Sequence, residues 1–245
     1  MFFFDNYDRT LLSCLLKVRK TSGAQIREAA KAMYAVMAEG GLVHAWGSGH
    51  SSMYARELFY RSGGLAPISP IYDYNTTGPF CRSSTIVKLD QDESYAGAII
   101  AQHDIRAGEA IIVFSTPGVS SLSVEMCKRM KALGLKVIVV CGVEYARGLQ
   151  ARHSTGLKLP DVGDIVIDMH VNHGDIALTD PEGISAGALG TVVAMYIAQK
   201  LLMATIDEFI ANNLEPPIVK AAVLPGAAEH NERVYADIRS RLRFL

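Results

Sequence analysis

The chain is poor in charge. Only 20% of its 245 residues are Asp, Glu, Lys or Arg, and they nearly cancel to a formal net charge of -1. A nucleic-acid surface needs a basic excess to neutralise phosphates, so that class of partner is excluded. A localised anion site is not, because a few aimed donors do not register in a net charge. Cysteine is scarce as well. Cys14, Cys81, Cys127 and Cys141 form no Cys-x-x-Cys pair and are too sparse for a disulfide framework. Three of them fall in apolar or helical patterns and read as small core residues. No apolar stretch approaches bilayer length, and Met1 to Asp5 carries three phenylalanines without a basic leader or a small-residue cleavage site. These absences lead to the expectation of a cytoplasmic protein with no membrane partner.

Apolar residues are plentiful at 49%, enough for a large core. From Tyr7 to Gly40 they recur at helical spacing, with Thr21-Ser22-Gly23 as a possible break and Gly40-Gly41 as a stop. This segment, residues 1–40, is expected to be a helical extension that pairs subunits in a homodimer or homotetramer. After it the period changes. Continuous apolar runs at Leu42 to Trp46, Leu65 to Ile68, Ala110 to Phe114, Val137 to Cys141 and Ile165 to Met169 alternate with helical segments, clearest at Ser120 to Leu133. Such runs indicate a parallel sheet buried on both faces. The expected fold is α/β, a three-layer sandwich of about five parallel strands in one domain spanning residues 1–245. Asp180-Pro181-Glu182 reads as the start of a long helix, with an N-cap, a proline and a first-turn acid. A last helix is expected from Ala227 to Leu242.

Two loops share a composition and a position. Gly47-Ser48-Gly49-His50-Ser51-Ser52 follows the first strand, and Ser115-Thr116-Pro117-Gly118-Val119-Ser120-Ser121 follows the Ala110 to Phe114 strand; each opens a helix. In parallel α/β sheets ligands bind beyond the carboxyl ends of the strands. Helix N-termini with glycine and short hydroxyls suit a tetrahedral anion there. The plain alternative, that these serines only cap helices, is weakened by the pairing of the two loops. A dinucleotide fingerprint fails, because Ser52 stands where its third glycine belongs and no acid ends the second strand. A Walker loop fails for want of Gly-Lys-Ser/Thr.

On these residues the chain resembles the SIS (sugar isomerase) domain proteins. Their loops read Gly-x-Gly-x-Ser, matched by Gly47 to Ser51, and Ser-x-Ser-Gly-x-Ser/Thr, matched at Ser115, Gly118 and Ser120 but broken by Pro117. The resemblance covers nearly the whole chain. It extends to a poorly characterised phosphosugar-binding subgroup similar to phosphoheptose isomerases, through Gly49-His50-Ser51, Glu57-Leu-Phe-Tyr-Arg61 and Glu229-His230-Asn231. It implies an aldose-ketose isomerase that acts on a phosphorylated sugar through an enediol, with no metal or other cofactor. Gly47, Ser48, Gly49, His50, Ser51, Ser52, Arg61, Ser115, Thr116, Gly118, Ser120 and Asn231 would bind the small anionic sugar.

Enediol chemistry needs a base to move a proton between adjacent carbons and an acid/base pair to open the ring. Glu57, Glu229 and His230 are the candidates, and the late pair would come from a partner subunit. Against them stand an i,i+4 ion pair between Glu57 and Arg61 and a polar first helical turn at Glu229. His170-Val-Asn-His173-Gly-Asp175 matches no strong zinc pattern and reads as a loop that contacts sugar hydroxyls. Two other functions fit the same loops. One is an isomerase for a sulfonated or other anionic sugar. The other is a non-catalytic sugar-phosphate sensor, disfavoured because the 40 residues before the first strand hold no basic recognition helix.

Overall fold

A computed structural model describes residues 1–78 and 80–245. Its centre is a parallel sheet in the order β2-β1-β3-β4-β5, built from β1 (Val43–Gly47), β2 (Ile68–Pro70), β3 (Ala110–Phe114), β4 (Lys136–Cys141) and β5 (Ile165–Asp168). Two long helices precede it, α1 (Phe2–Thr21) and α2 (Gly23–Ala38), broken at Ser22. Short helices α3 (Ser52–Leu58), α4 (Ser83–Leu89) and α5 (Tyr95–Ile100) lie between the first three strands. Then come α6 (Ser121–Ala132), α7 (Val143–Arg147) and α8 (Leu159–Val162). A hairpin of β6 (Ile176–Thr179) and β7 (Ser185–Ala188) leads into α9 (Gly190–Ala211), and α10 (Ala227–Tyr235) follows.

The strands show why their apolar runs are continuous. Successive side chains point to opposite faces, and both faces are covered. Val43, Ala45, Ile112, Phe114, Ile138, Val140, Ile165 and Ile167 pack into one core with α2, α3 and α9. Trp46, Ile111, Val113, Val137, Val139 and Cys141 pack into a second with α5, α6 and α8. A third cluster joins Leu42 and Ala66, which precede β1 and β2, to Val219, Tyr235, Ile238 and Leu242. It seats α10 at the amino edge of the sheet.

Several expected boundaries move. The helix after Asp180-Pro181-Glu182 does not form. Asp180 Oδ1 accepts the Glu182 and Ile184 amides at 3.0 and 2.8 Å and closes a β-turn instead. The small residues beyond it pair antiparallel as β7, and the helix starts only at Gly190. Asp and Pro serve a turn as well as a helix start, and the strand partner decides. The helix from Ser52 ends at Leu58 rather than Arg61, and the last helix ends at Tyr235 rather than Leu242.

Candidate functional site

The strand order reverses direction between β1 and β3, which are neighbours in the sheet although α3, β2, α4 and α5 separate them in sequence. Gly47 and Phe114 stand opposite one another at the carboxyl ends. The two serine loops therefore leave the sheet side by side, at the switch point where α/β folds open a crevice. Gly47 makes this possible, since a β-carbon there would run into the Ser51 carbonyl as the chain turns back.

Between the loops lies a cavity of about 350 Å³. Ser48, Gly49, His50 and Ser51 form one wall; Ser115, Thr116, Pro117 and Ser123 form another. Tyr54 lies at its base, edge-on to Phe114 with ring centroids 5.6 Å apart. Ile86 and Val87 of α4 and Tyr145 of α7 close the sides. Two hydroxyls in these walls, Ser48 Oγ and Ser123 Oγ, are shielded from solvent yet have no hydrogen-bond partner among the described residues. A buried hydroxyl without a partner costs about 1–3 kcal/mol, so such groups call for a function.

Two carboxylates complete the walls. Asp90, at the end of α4, lies across the first turn of α6. Its carbonyl accepts the Leu122 amide at 3.1 Å, and its Oδ1 accepts the Ser120 hydroxyl at 2.6 Å. Asp175 accepts the Leu189 and Gly190 amides at 3.2 and 2.6 Å, at the start of α9. Gly190 permits this approach, because a β-carbon would stand 2.8 Å from the carboxylate. Burial pushes both carboxyls above the usual range. The Ser120 hydrogen bond opposes the shift at Asp90; the Gly190 and Leu189 amides and nearby His50 oppose it at Asp175. Asp175 also holds a backbone φ of 57°, sparsely populated for a non-glycine residue.

The structure brings together only part of the expected set. Ser48, Gly49, His50, Ser51, Ser115 and Thr116 line the cavity, Gly47 ends β1 below it, and Gly118 turns the second loop. Ser52 turns away and donates to the Gly49 carbonyl at 2.7 Å. Ser120 is the N-cap of α6, accepting the Ser123 amide at 3.1 Å while it donates to Asp90. Glu57 accepts Gln199 Nε2 at 2.9 Å and pairs with Arg61, outside the cavity walls. Glu229, His230 and Asn231 sit on α10, at the opposite edge of the sheet. There His230 Nε2 donates to the Ile218 carbonyl at 2.8 Å, and Asn231 bonds both backbone groups of Lys220. A five-residue strand, about 15 Å long, separates that edge from the cavity. Within one chain these residues do not meet the serine loops. Of the His170 to Asp175 stretch only Asp175 lines the cavity, while His170 contacts Asp168 at 3.0 Å and Thr21 at 2.5 Å. Among the described residues no three His, Cys, Asp or Glu side chains cluster as metal ligands, and no helix is long and apolar enough to cross a membrane.

The SIS domain family pattern matches residues 6–142. A UPF0309 protein of Streptomyces griseus is 34% identical over 243 residues, covering 98% of this chain and 95% of that protein. This chain belongs to the SIS domain family. Among solved structures, the phosphoheptose isomerase of Neisseria gonorrhoeae superposes with a TM-score of 0.52 at 15% identity, covering 83% of this chain and 97% of that one. The NanR protein of Vibrio vulnificus, complexed with ManNAc-6P, superposes with a TM-score of 0.53 at 13% identity, covering 86% and 64%. The SIS fold is thus shared at low identity. Within it, Asp90 and Ser123 are cavity residues absent from the expected set, and Asp90 is the one that no local pattern signals. It stands 30 residues from its partner Ser120 at the end of an ordinary helix, and only the sheet topology brings the two together.

Proposed function

We propose that the cavity between the two serine loops seats the charged end of a phosphorylated sugar, and that the protein isomerises that sugar between aldose and ketose. The observation that carries this reading is the pair of buried, unpartnered hydroxyls, Ser48 Oγ and Ser123 Oγ, on residues that line one cavity at the β1/β3 switch point. Donors left free in a folded protein suit an oxyanion that replaces water there. SIS membership supports the ligand class, as does the ManNAc-6P complex of the Vibrio vulnificus protein.

We assign the acid/base roles to His50 and Asp175, two of the titratable groups that line the cavity. Asp175, its carboxyl raised by burial, is suited to accept the proton from the carbon next to the carbonyl and return it to the neighbouring carbon. His50, on the loop itself, is suited to move the ring-opening proton. No cofactor enters the scheme. Glu57, Glu229 and His230 enter it only if a second copy delivers them. Exposed Phe4, Leu12 and Leu16 on α1 support such pairing, in a homodimer or homotetramer.

The test is proton exchange. Sugar phosphates of five to seven carbons incubated with the protein in deuterated water are expected to gain deuterium at the carbon beside the carbonyl. Tight binding without exchange would instead establish the sensor reading and end the isomerase one.

A further inference from the structure

The cavity is poor in positive charge for an anion seat. Among the described residues its walls hold two carboxylates, Asp90 and Asp175, and one histidine, His50, but no lysine or arginine. Both carboxylates already occupy the positions where an anion would draw its donors. Asp90 lies over the first turn of α6, and Asp175 caps the first turn of α9. The positive ends of both helices are therefore opposed by charge from within the chain. What remains for a ligand are neutral donors, the hydroxyls of Ser48, Ser51, Ser115, Thr116 and Ser123, since the Gly49, Ser51 and Ser52 amides of the first loop already bond backbone carbonyls. Neutral donors bind an oxyanion without cancelling its charge, so each added negative charge meets Asp90 uncompensated.

We propose that Asp90, bound to Ser120 of one anion loop and facing Ser48 of the other, makes the cavity select a singly charged tetrahedral group over a doubly charged one. This rests on the reading that the cavity is the anion seat. A sulfonate, or a phosphate in its monoanionic form, enters directly. A doubly charged phosphate enters only together with a proton, which Asp90 takes up and then offers as a donor. The groups that face Asp90 agree with this. Burial outweighs what favours its carboxylate form: the Ser120 hydrogen bond, the Ser48 hydroxyl nearby but outside hydrogen-bond geometry, and the charge of Arg152, beyond α7. Across the cavity stand Asp175, which adds negative charge, and His50, whose charge acts mainly on Asp175.

Methanesulfonate and methyl phosphate test the charge preference without assuming a sugar. Phosphate monoesters lose their second proton near pH 6, so about pH 5.5 and about pH 8 compare the two phosphate forms on the full-length protein. Binding is read from amide NMR shifts of residues 48–52 and 115–121, which also report where the probe sits. At about pH 8 methanesulfonate is expected to bind about tenfold tighter than methyl phosphate, and methyl phosphate to recover at about pH 5.5. Asp90→Asn keeps an acceptor for Ser120 and is expected to melt near the parent temperature. It should bind methyl phosphate about tenfold tighter than the parent at about pH 8, a gain that a merely structural role would not produce. A parent preference for methyl phosphate at about pH 8, or an unchanged probe ratio in a folded Asp90→Asn, overturns the inference while leaving the seat intact. If neither probe shifts these amides in the parent, the seat itself is wrong and the inference falls with it.

Discussion

The two edges of the sheet arrange their polar groups differently. At the amino edge Glu109 is buried, and four donors converge on its carboxylate. The Leu42 and Arg106 amides and His44 Nε2 each stand 2.9 Å away, and Arg241 stands at 2.7 Å. Arg241 also reaches Asp104 at 3.0 Å, so the C-terminal segment is tied to the starts of β1 and β3. Burial alone would raise the Glu109 carboxyl, but these donors together hold it down at about 2. At the carboxyl edge Ser48 and Ser123 are buried without partners, and carboxylates sit where cations would be expected. The amino edge also leaves His44 Nδ1, His103 Nε2 and the Tyr235 hydroxyl buried without partners among the described residues. What sets the carboxyl edge apart is that its unpartnered hydroxyls belong to residues that line a cavity.

The largest effect is expected where several donors converge on one buried carboxylate. Glu109→Ala leaves two backbone amides, His44 and Arg241 without their acceptor, and removal of one partner from a buried charged cluster costs about 3–5 kcal/mol. Urea denaturation should show that loss. A loss below about 1 kcal/mol would mean that the amino edge is no tighter than the cavity.

Acid should act on the amino edge in two stages. Burial holds His103 down at about 4, below its ordinary 6.5, with help from the charges of Arg243 and His44. The fold therefore favours neutral His103, and its contribution is full above 6.5 and lost as the pH falls from 6.5 toward 4. Glu109, held at about 2 against an ordinary 4.5, contributes fully above 4.5 and loses that contribution as the pH falls through 2. Melting temperature against pH should be flat above about 6.5 and fall in that order. His103→Gln should remove the upper stage alone.

At the carboxyl edge the sign reverses. Ser48→Ala and Ser123→Ala delete hydroxyls that have no partner, so each should leave stability unchanged within about 0.5 kcal/mol or raise it slightly. Each should weaken binding of the anionic sugar about tenfold to a hundredfold, from the roughly 1.5–3 kcal/mol of one hydrogen bond to a charged group. Calorimetric titration beside a melting curve separates the two. A destabilised variant with unchanged affinity would place these serines with the structural cluster.

How much of this was legible beforehand follows from how local each cause is. The parallel sheet announces itself because Val137 to Cys141 and Ala110 to Phe114 are apolar at every position, which only a strand buried on both faces requires. The two serine loops were legible for the same reason, each a short motif after such a strand. Asp180-Pro181-Glu182 misled because a turn and a helix start want the same residues, and β6 decides between them. Asp90 was invisible, since its meaning comes from Ser120 across the sheet. Glu229-His230-Asn231 reads as chemical only through the family resemblance, and within one chain the topology sets α10 at the amino edge, where His230 and Asn231 bond the backbone of residues 218–220.

The smallest effect should fall on the pair that belongs to neither edge. Glu57 is about one-third exposed and joins Arg61 one helical turn on, as well as Gln199 of α9. A half-exposed i,i+4 pair contributes about 0.3–0.5 kcal/mol, so Glu57→Gln, which keeps a hydrogen-bonding partner for Gln199, should cost no more than that. It should also leave the affinity of the cavity for an anionic sugar unchanged, because Glu57 lines no part of it. Turnover is the discriminating measurement. If Glu57→Gln lowers kcat at unchanged stability and KM, the glutamate acts on a sugar held by another copy, and the catalytic centre is shared across an interface. If kcat is also unchanged, Glu57 is a surface ion pair, and the proton chemistry stays with His50 and Asp175 inside one chain.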